Sequence, residues 1–172
     1  MLFPLRFRPK ESYHEAPRCF GARRDHGARK HAGCDLYAPV GTEVLAVADG
    51  KVLRVAPFYA HPPVWAVEVD HGTYIVRYGE VAKDIPAGVK PGAEVKRGQI
   101  VGKVGHMRQI RYSMLHFEMY SGEMSGSLTT PEKPFMRRGD LVDPTDFLDK
   151  ALLDAGAISG ADAPIFVIGL RL

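Results

Sequence analysis

The stretch His31-Ala32-Gly33-Cys34-Asp35-Leu36-Tyr37-Ala38-Pro39-Val40-Gly41-Thr42-Glu43-Val44 decides how the rest of this chain is read. It sets an imidazole and a carboxylate four positions apart, where a polar, irregular segment gives way to an apolar, β-rich run. The run continues as Ala46-Val47-Ala48-Asp49-Gly50-Lys51-Val52, and its Asp-Gly dipeptide is of the kind that closes tight hairpins. Glu43–Ala48 and Lys51–Ala56 are therefore expected to pair around Asp49-Gly50.

Further along, Val64–Asp70 and Thr73–Tyr78 form a second expected hairpin around His71-Gly72. Between Gly88 and Gly105, Pro91-Gly92 and Arg97-Gly98 punctuate short strands. Ser113–Tyr120 reads as another strand. Residues two apart in a strand share a face, so Met114, His116 and Glu118 point one way and Leu115, Phe117 and Met119 the other. By the same alternation Glu80 falls on the face of Tyr78. One helix is expected over Asp146–Ala155, after Asp143-Pro144-Thr145, which brings capping residues and a proline near its start. A short apolar strand is expected at Ile165–Leu170. With 18 glycines and 13 prolines spread among these runs and no internal repeat, the pattern is that of a mainly β fold, an antiparallel sheet or sandwich with a short C-terminal helix.

The chain has 172 residues, enough for one domain with a sizeable core. Its composition, 45% hydrophobic and 25% charged, excludes disordered and collagen-like classes. The formal charge of +3 is too small an excess to argue for nucleic acid. No apolar run approaches the length of a membrane span. Two cysteines, Cys19 and Cys34, could form one bridge or remain free thiols, and free thiols are expected because Cys34 sits between two prospective ligands. The first residues lack the charged and apolar regions of a signal peptide.

Seven histidines raise the question of which converge. Two histidines and one carboxylate leave tetrahedral zinc one open position, the pattern of a catalytic site. On spacing alone His31, Asp35 and His116 read equally as a chance pair and a core histidine. The surrounding residues add a resemblance. The segment from His31 to Val52, the Val-Asp-His-Gly turn leading to Tyr78, the segment Val89–Gly105, and Leu115-His116-Phe117-Glu118 together resemble the lysostaphin/LytM-type zinc endopeptidases, in order, over residues 28–121. Residues 1–27 and 122–172 then read as extensions packed on that core.

The resemblance implies a LytM-type fold, Zn²⁺ held by His31, Asp35 and His116, and hydrolysis of peptide bonds in peptidoglycan cross-links by zinc-activated water. It also implies two catalytic histidines that are not ligands, and this chain has neither: Met114 and Glu80 stand at those positions. Glu80 is the expected general base, since a carboxylate beside zinc can take the proton of the attacking water. The distantly related D-alanyl-D-alanine peptidases are similar in combining such a metal site with a glutamate base. Met114 can neither donate a hydrogen bond nor carry charge, so Arg77 or Arg111 is the candidate cation for the oxyanion.

Tyr78, His106 and Met114 are the expected substrate contacts. His71 reads as an exposed turn residue, His14, His26 and His61 as surface residues, and Cys34 as packed. The basic stretch Arg18–Lys30 reads as a solvated face or as a surface for anionic wall polymer. The expected partner is a peptidoglycan peptide, with no nucleic acid and no transmembrane segment, for a monomer acting in the periplasm or cell wall by an unidentified export route. The alternative is an inactive zinc-binding module that binds the wall or regulates a partner.

Overall fold

The computed structural model describes residues 1–59, 63–107 and 112–154. β1 (Arg23–Arg24) and β2 (Arg29–Lys30) form a small ribbon across a tight turn, and β3 (Cys34–Tyr37) follows the His31 motif. Then come β4 (Glu43–Leu45), β5 (Gly50–Tyr59), β6 (Val64–Asp70), β7 (Ile75–Val81), β8 (Glu94–Val95), β9 (Ile100–Lys103), β10 (Met114–Tyr120), β11 (Leu141–Val142) and the helix α1 (Thr145–Lys150). The main sheet runs β11-β10-β7-β6-β5-β8, with β3 also on β10, and every pairing is antiparallel. A separate pair, β4 and β9, closes over it through a bridge between Val81 and Val104.

β10 is the axis of the molecule. β7 lies along one side of it, and β3 and β11 divide the other. Leu115 and Phe117 of β10, Cys34 and Leu36 of β3, and Val76 and Tyr78 of β7 face one core, joined by Val44 of β4 and Val101 of β9. Phe147 and Leu148 of α1 close it from the C-terminal side. The N-terminal residues belong to the same core: Phe3 and Leu5 are fully buried. Their backbone is tied to the small sheet by Leu45 N–H donating to Pro4 O at 2.9 Å and to the C-terminal segment by Phe3 N–H donating to Leu152 O at 2.7 Å. The opposite face of β10 and β7 carries His116, Glu118 and Arg77, all buried. Both faces of β7 are therefore covered along its whole length.

The hairpin expected around His71-Gly72 is present as β6 and β7. The one expected around Asp49-Gly50 is not, because β4 pairs with β9 while β5 pairs with β6 and β8. Asp49 instead anchors a corner between sheets, its carboxylate accepting from Arg97 N–H at 2.8 Å and Lys96 Nζ at 3.2 Å. The helix is shorter than Asp146–Ala155. Ala151 turns extended and Leu152 N–H donates to Met1 O at 3.0 Å, so the chain leaves the helix to pair with the N-terminus. Both cysteines are free, and Cys34 is buried with Sγ 3.6 Å from Thr145 Oγ1. The expected strand Ile165–Leu170, together with His61 and Arg111, lies outside the described residues. No described helix is long and apolar enough to cross a membrane.

Candidate metal centre

Gly33, midway between His31 and Asp35, is what lets the first motif approach β10. A Cβ there would stand 2.3 Å from Phe117 O. With that close approach, β3 pairs Asp35 directly opposite His116. Three donor atoms then converge: Asp35 Oδ1 lies 3.0 Å from His31 Nε2 and 2.8 Å from His116 Nδ1, and the two ring nitrogens are 3.1 Å apart. All three residues are buried. These atoms form the one group among the described residues that could hold a metal ion.

The outer partners of each ring decide which nitrogen faces inward. His31 Nδ1–H donates to Cys19 O at 2.8 Å, leaving Nε2 as the lone-pair atom. His116 Nε2–H donates to Glu118 Oε1 at 2.9 Å, leaving Nδ1. Two imidazole nitrogens and a carboxylate oxygen aimed at one point need a positive charge among them, a proton on His116 in the metal-free protein or a metal ion in its place. The donor set therefore fits a divalent ion, and each histidine has the outer acceptor that metal-bound histidines characteristically have.

Glu118 is itself fixed. Its carboxylate accepts from Arg137 Nε at 2.7 Å, Arg77 Nη1 at 3.0 Å and the Tyr120 hydroxyl. Burial opposes ionisation of Glu118, yet the His116 hydrogen bond and the two guanidinium charges hold its pKa well below the carboxylate range. It therefore remains an acceptor for His116. Burial also opposes a charged His116, but the hydrogen bonds and charges of Asp35 and Glu118 outweigh it and raise the pKa of the ring to about 9. Asp35, despite burial, is held well below its ordinary value, chiefly by the hydrogen bond from the protonated His116 ring. Burial lowers His31, the ring without a second carboxylate.

Glu80 reaches this centre through an irregularity in β7. Trp65 and Val67 of β6 oppose Val81 and Tyr78, so β7 carries one extra residue at Gly79-Glu80. Such a bulge re-aims side chains. Tyr78 and Val81 both face the core, whereas Gly79 sits opposite His116 and Glu80 takes φ +62. Strict alternation would have sent Glu80 into the core beside Tyr78, and the bulge corrects that expectation. Glu80 is 5% exposed, and its Oε2 is buried with no hydrogen-bond partner. Burial, reinforced by the charge of Asp35 and relieved in part by His116 and Arg24, raises its pKa to about 8.

The other sequence candidates separate. Tyr78 is fully buried, and its hydroxyl accepts from Val47 N–H at 3.0 Å and lies 3.2 Å from His71 Nε2. Its place is the core, not a substrate groove, because it sits opposite Phe117 on the apolar face. His71 is half-buried rather than exposed, tying Asp49 O to Tyr78. Arg77 is unavailable to substrate: it is 2% exposed and gripped by Glu68 and Glu118. Met114 is buried on the face of His116, and His106 is exposed. The two-residue spacing from His116 was the available signal for Glu118. Arg24, whose Nη2 donates to Asp35 Oδ2 at 3.2 Å, and Arg137 carried no signal of their own.

Residues 29–128 match Peptidase family M23. The chain belongs to that family. Among M23 relatives it is 35% identical over 107 residues to peptidoglycan DD-endopeptidase ShyA of Vibrio cholerae, covering 58% of this chain and 23% of that protein. The chain spans about a quarter of the length of the first curated relatives it matches. Its fold is that of the catalytic domain of lysostaphin from Staphylococcus simulans, with a TM-score of 0.56 at 24% identity over 76% of this chain and 89% of that one. A zinc-containing peptidase from Vibrio cholerae is similar at a TM-score of 0.55 and 25% identity, covering 90% of this chain and 41% of that one.

Proposed function

We propose that this M23 domain is a zinc metalloendopeptidase that hydrolyses peptide bonds in peptidoglycan cross-links. His31, Asp35 and His116 hold the zinc, and Glu80 is the general base. The observation that carries the reading is the convergence of three donor atoms whose rings are oriented by Cys19 O and Glu118. Family membership supports the reaction class, and the likeness to a peptidoglycan DD-endopeptidase, ShyA, supports the substrate.

Zinc, when bound, supplies Lewis acidity: it lowers the pKa of water and polarises a carbonyl. The chain supplies the rest. Glu80 accepts a proton from the attacking water as the oxygen–carbon bond forms at the scissile carbonyl. When the carbon–nitrogen bond breaks, Glu80 passes that proton to the departing amine, leaving one new carboxylate and one new amino group. Burial makes Glu80 a stronger base than an exposed carboxylate, and the charge of a bound zinc ion would favour its ionised form before attack. Glu80 is not among the converging donors, which is what a base acting through water requires. Substrate contacts fall to Met114, on the face of His116, and to His106. The latter follows Gly105, whose N–H donates to Glu80 O at 2.8 Å. The domain acts outside the cytoplasm, where its polymer lies.

The test is release of new amino groups from purified peptidoglycan, abolished by EDTA and restored by zinc. Release that follows zinc supports the reading. A zinc-loaded protein that binds peptidoglycan and releases nothing would instead make it a binding module.

A further inference from the structure

With Met114 in place of a hydrogen-bond donor and Arg77 locked between Glu68 and Glu118, the centre needs another group for the negative charge that develops on a carbonyl oxygen. We propose that Arg24 is that group: its guanidinium, anchored on the outer oxygen of Asp35, binds the anionic oxygen formed at the metal centre. The inference rests on the endopeptidase reading for its substrate, but the anion site itself follows from placement.

Arg24 lies in β1 with extended backbone, φ −125° and ψ 156°, and pairs with Arg29 across the ribbon. Alternation separates it from Arg23, which is exposed and packs its own guanidinium against Gly27. Arg24 turns inward instead. Its Nη2 donates to Asp35 Oδ2 at 3.2 Å, while Asp35 Oδ1 faces both imidazoles. The guanidinium therefore stands one carboxylate away from the point where the three donors meet.

Three cations approach this region among the described residues, and they differ in what they have left to give. Arg77 is 2% exposed and Arg137 is 10% exposed at the side chain, and both are committed to Glu118. Arg24 keeps 21% of its side chain exposed, and Asp35 is the sole side-chain hydrogen-bond partner it has among the described residues. A guanidinium has five N–H donors in a planar fork, so one can hold Asp35 while others stay available to an anion. Preorganised donors of this kind, in a site with little water, are what stabilise an oxyanion.

A role confined to positioning Asp35 would show itself in zinc affinity. The experiment therefore measures, on wild type, Arg24→Gln and Arg24→Lys, the zinc dissociation constant, the affinity of the zinc-loaded protein for a dialanine phosphinate, a tetrahedral anion, and kcat and KM on peptidoglycan fragments. The expected result for Arg24→Gln is zinc affinity within a few-fold of wild type, phosphinate binding at least about 10-fold weaker, and kcat lower by about 10²–10³ with KM little changed. Arg24→Lys should recover part of both losses by restoring the charge. Phosphinate binding unaffected by Arg24→Gln overturns the inference, as does a loss of zinc affinity large enough to account for the other losses. If the wild type hydrolyses nothing while phosphinate binding still depends on Arg24, the endopeptidase reading fails and the anion site stands.

Discussion

Glu80 sits at φ +62, a region that residues other than glycine seldom occupy, with one carboxylate oxygen buried and unpartnered. Both are costs that a purely structural residue would not need: the second is relieved if the carboxylate bonds a water molecule beside the converging donors, and the first is the backbone conformation by which the bulge aims it there. Replacing it by glutamine keeps shape and removes basicity, so turnover should fall by about 10²–10⁴ with zinc still bound. Steady-state kinetics alongside metal analysis checks both halves of that expectation. The pH dependence of stability has a definite sign. The pKa of Glu80 is raised from 4.5 to about 8, so between those values the folded metal-free protein holds a proton that the unfolded chain releases. Its contribution is a cost that is absent below about pH 4.5 and grows until about pH 8. His116, raised from 6.5 to about 9, adds stability that is complete below about 6.5 and lost as the pH rises through 9. Metal-free protein should therefore lose stability on going from mildly acid to alkaline pH, by on the order of a few kcal/mol from Glu80 alone. Glu80→Gln should remove that part, as thermal denaturation across pH would show. Zinc must also displace the proton on His116, and its charge favours ionised Glu80, so calorimetry at pH 7 in buffers of different ionisation enthalpy should show net proton release on binding. Heats independent of buffer would contradict this.

At the level of elements, the centre depends on β3, β7 and β10 holding register, and here sequence and structure part company in an instructive way. The three converging residues were legible through the ordered resemblance of the segments around them, since the spacing of His31, Asp35 and His116 alone read as a chance pair and a core histidine, and alternation correctly put His116 and Glu118 on one face. The bulge at Gly79-Glu80 was not legible, since an extra residue in one strand shows only against its partner. The corner at Asp49-Gly50 misled for a related reason: a dipeptide suited to a hairpin also suits a turn between sheets, and the Lys96 ammonium and Arg97 backbone N–H that bond Asp49 and select the second come from nearly fifty residues away. Gly33→Ala tests the register directly. A methyl group 2.3 Å from Phe117 O must push β3 off β10, which separates Asp35 from His116. The expected outcome is lower thermal stability together with loss of zinc affinity, and a variant with unchanged metal binding would contradict the proposed packing.

For the whole molecule, the segments that read as extensions share the core of the family domain. Phe3 and Leu5 share one buried cluster with Phe117 and Phe147. Leu5→Ala should therefore destabilise the protein by about 2–5 kcal/mol, the cost of a buried leucine and its cavity, although it lies outside the residues matched to the family. A change within a few tenths of a kcal/mol would make the N-terminal segment an appendage after all. The charge plan also works at this scale. Buried Glu68, Arg77 and Glu118, with half-buried Arg137, form a continuous charged series that ends on His116, so the sheet interior holds that ring in one orientation. Everything rests on a cation being bound where His31, Asp35 and His116 meet. Elemental analysis of purified wild type and His116→Ala measures that directly. The account predicts one zinc per chain in the wild type and loss of stoichiometric zinc in the variant. Full occupancy retained in His116→Ala, or a wild type that takes up no divalent ion, would contradict it.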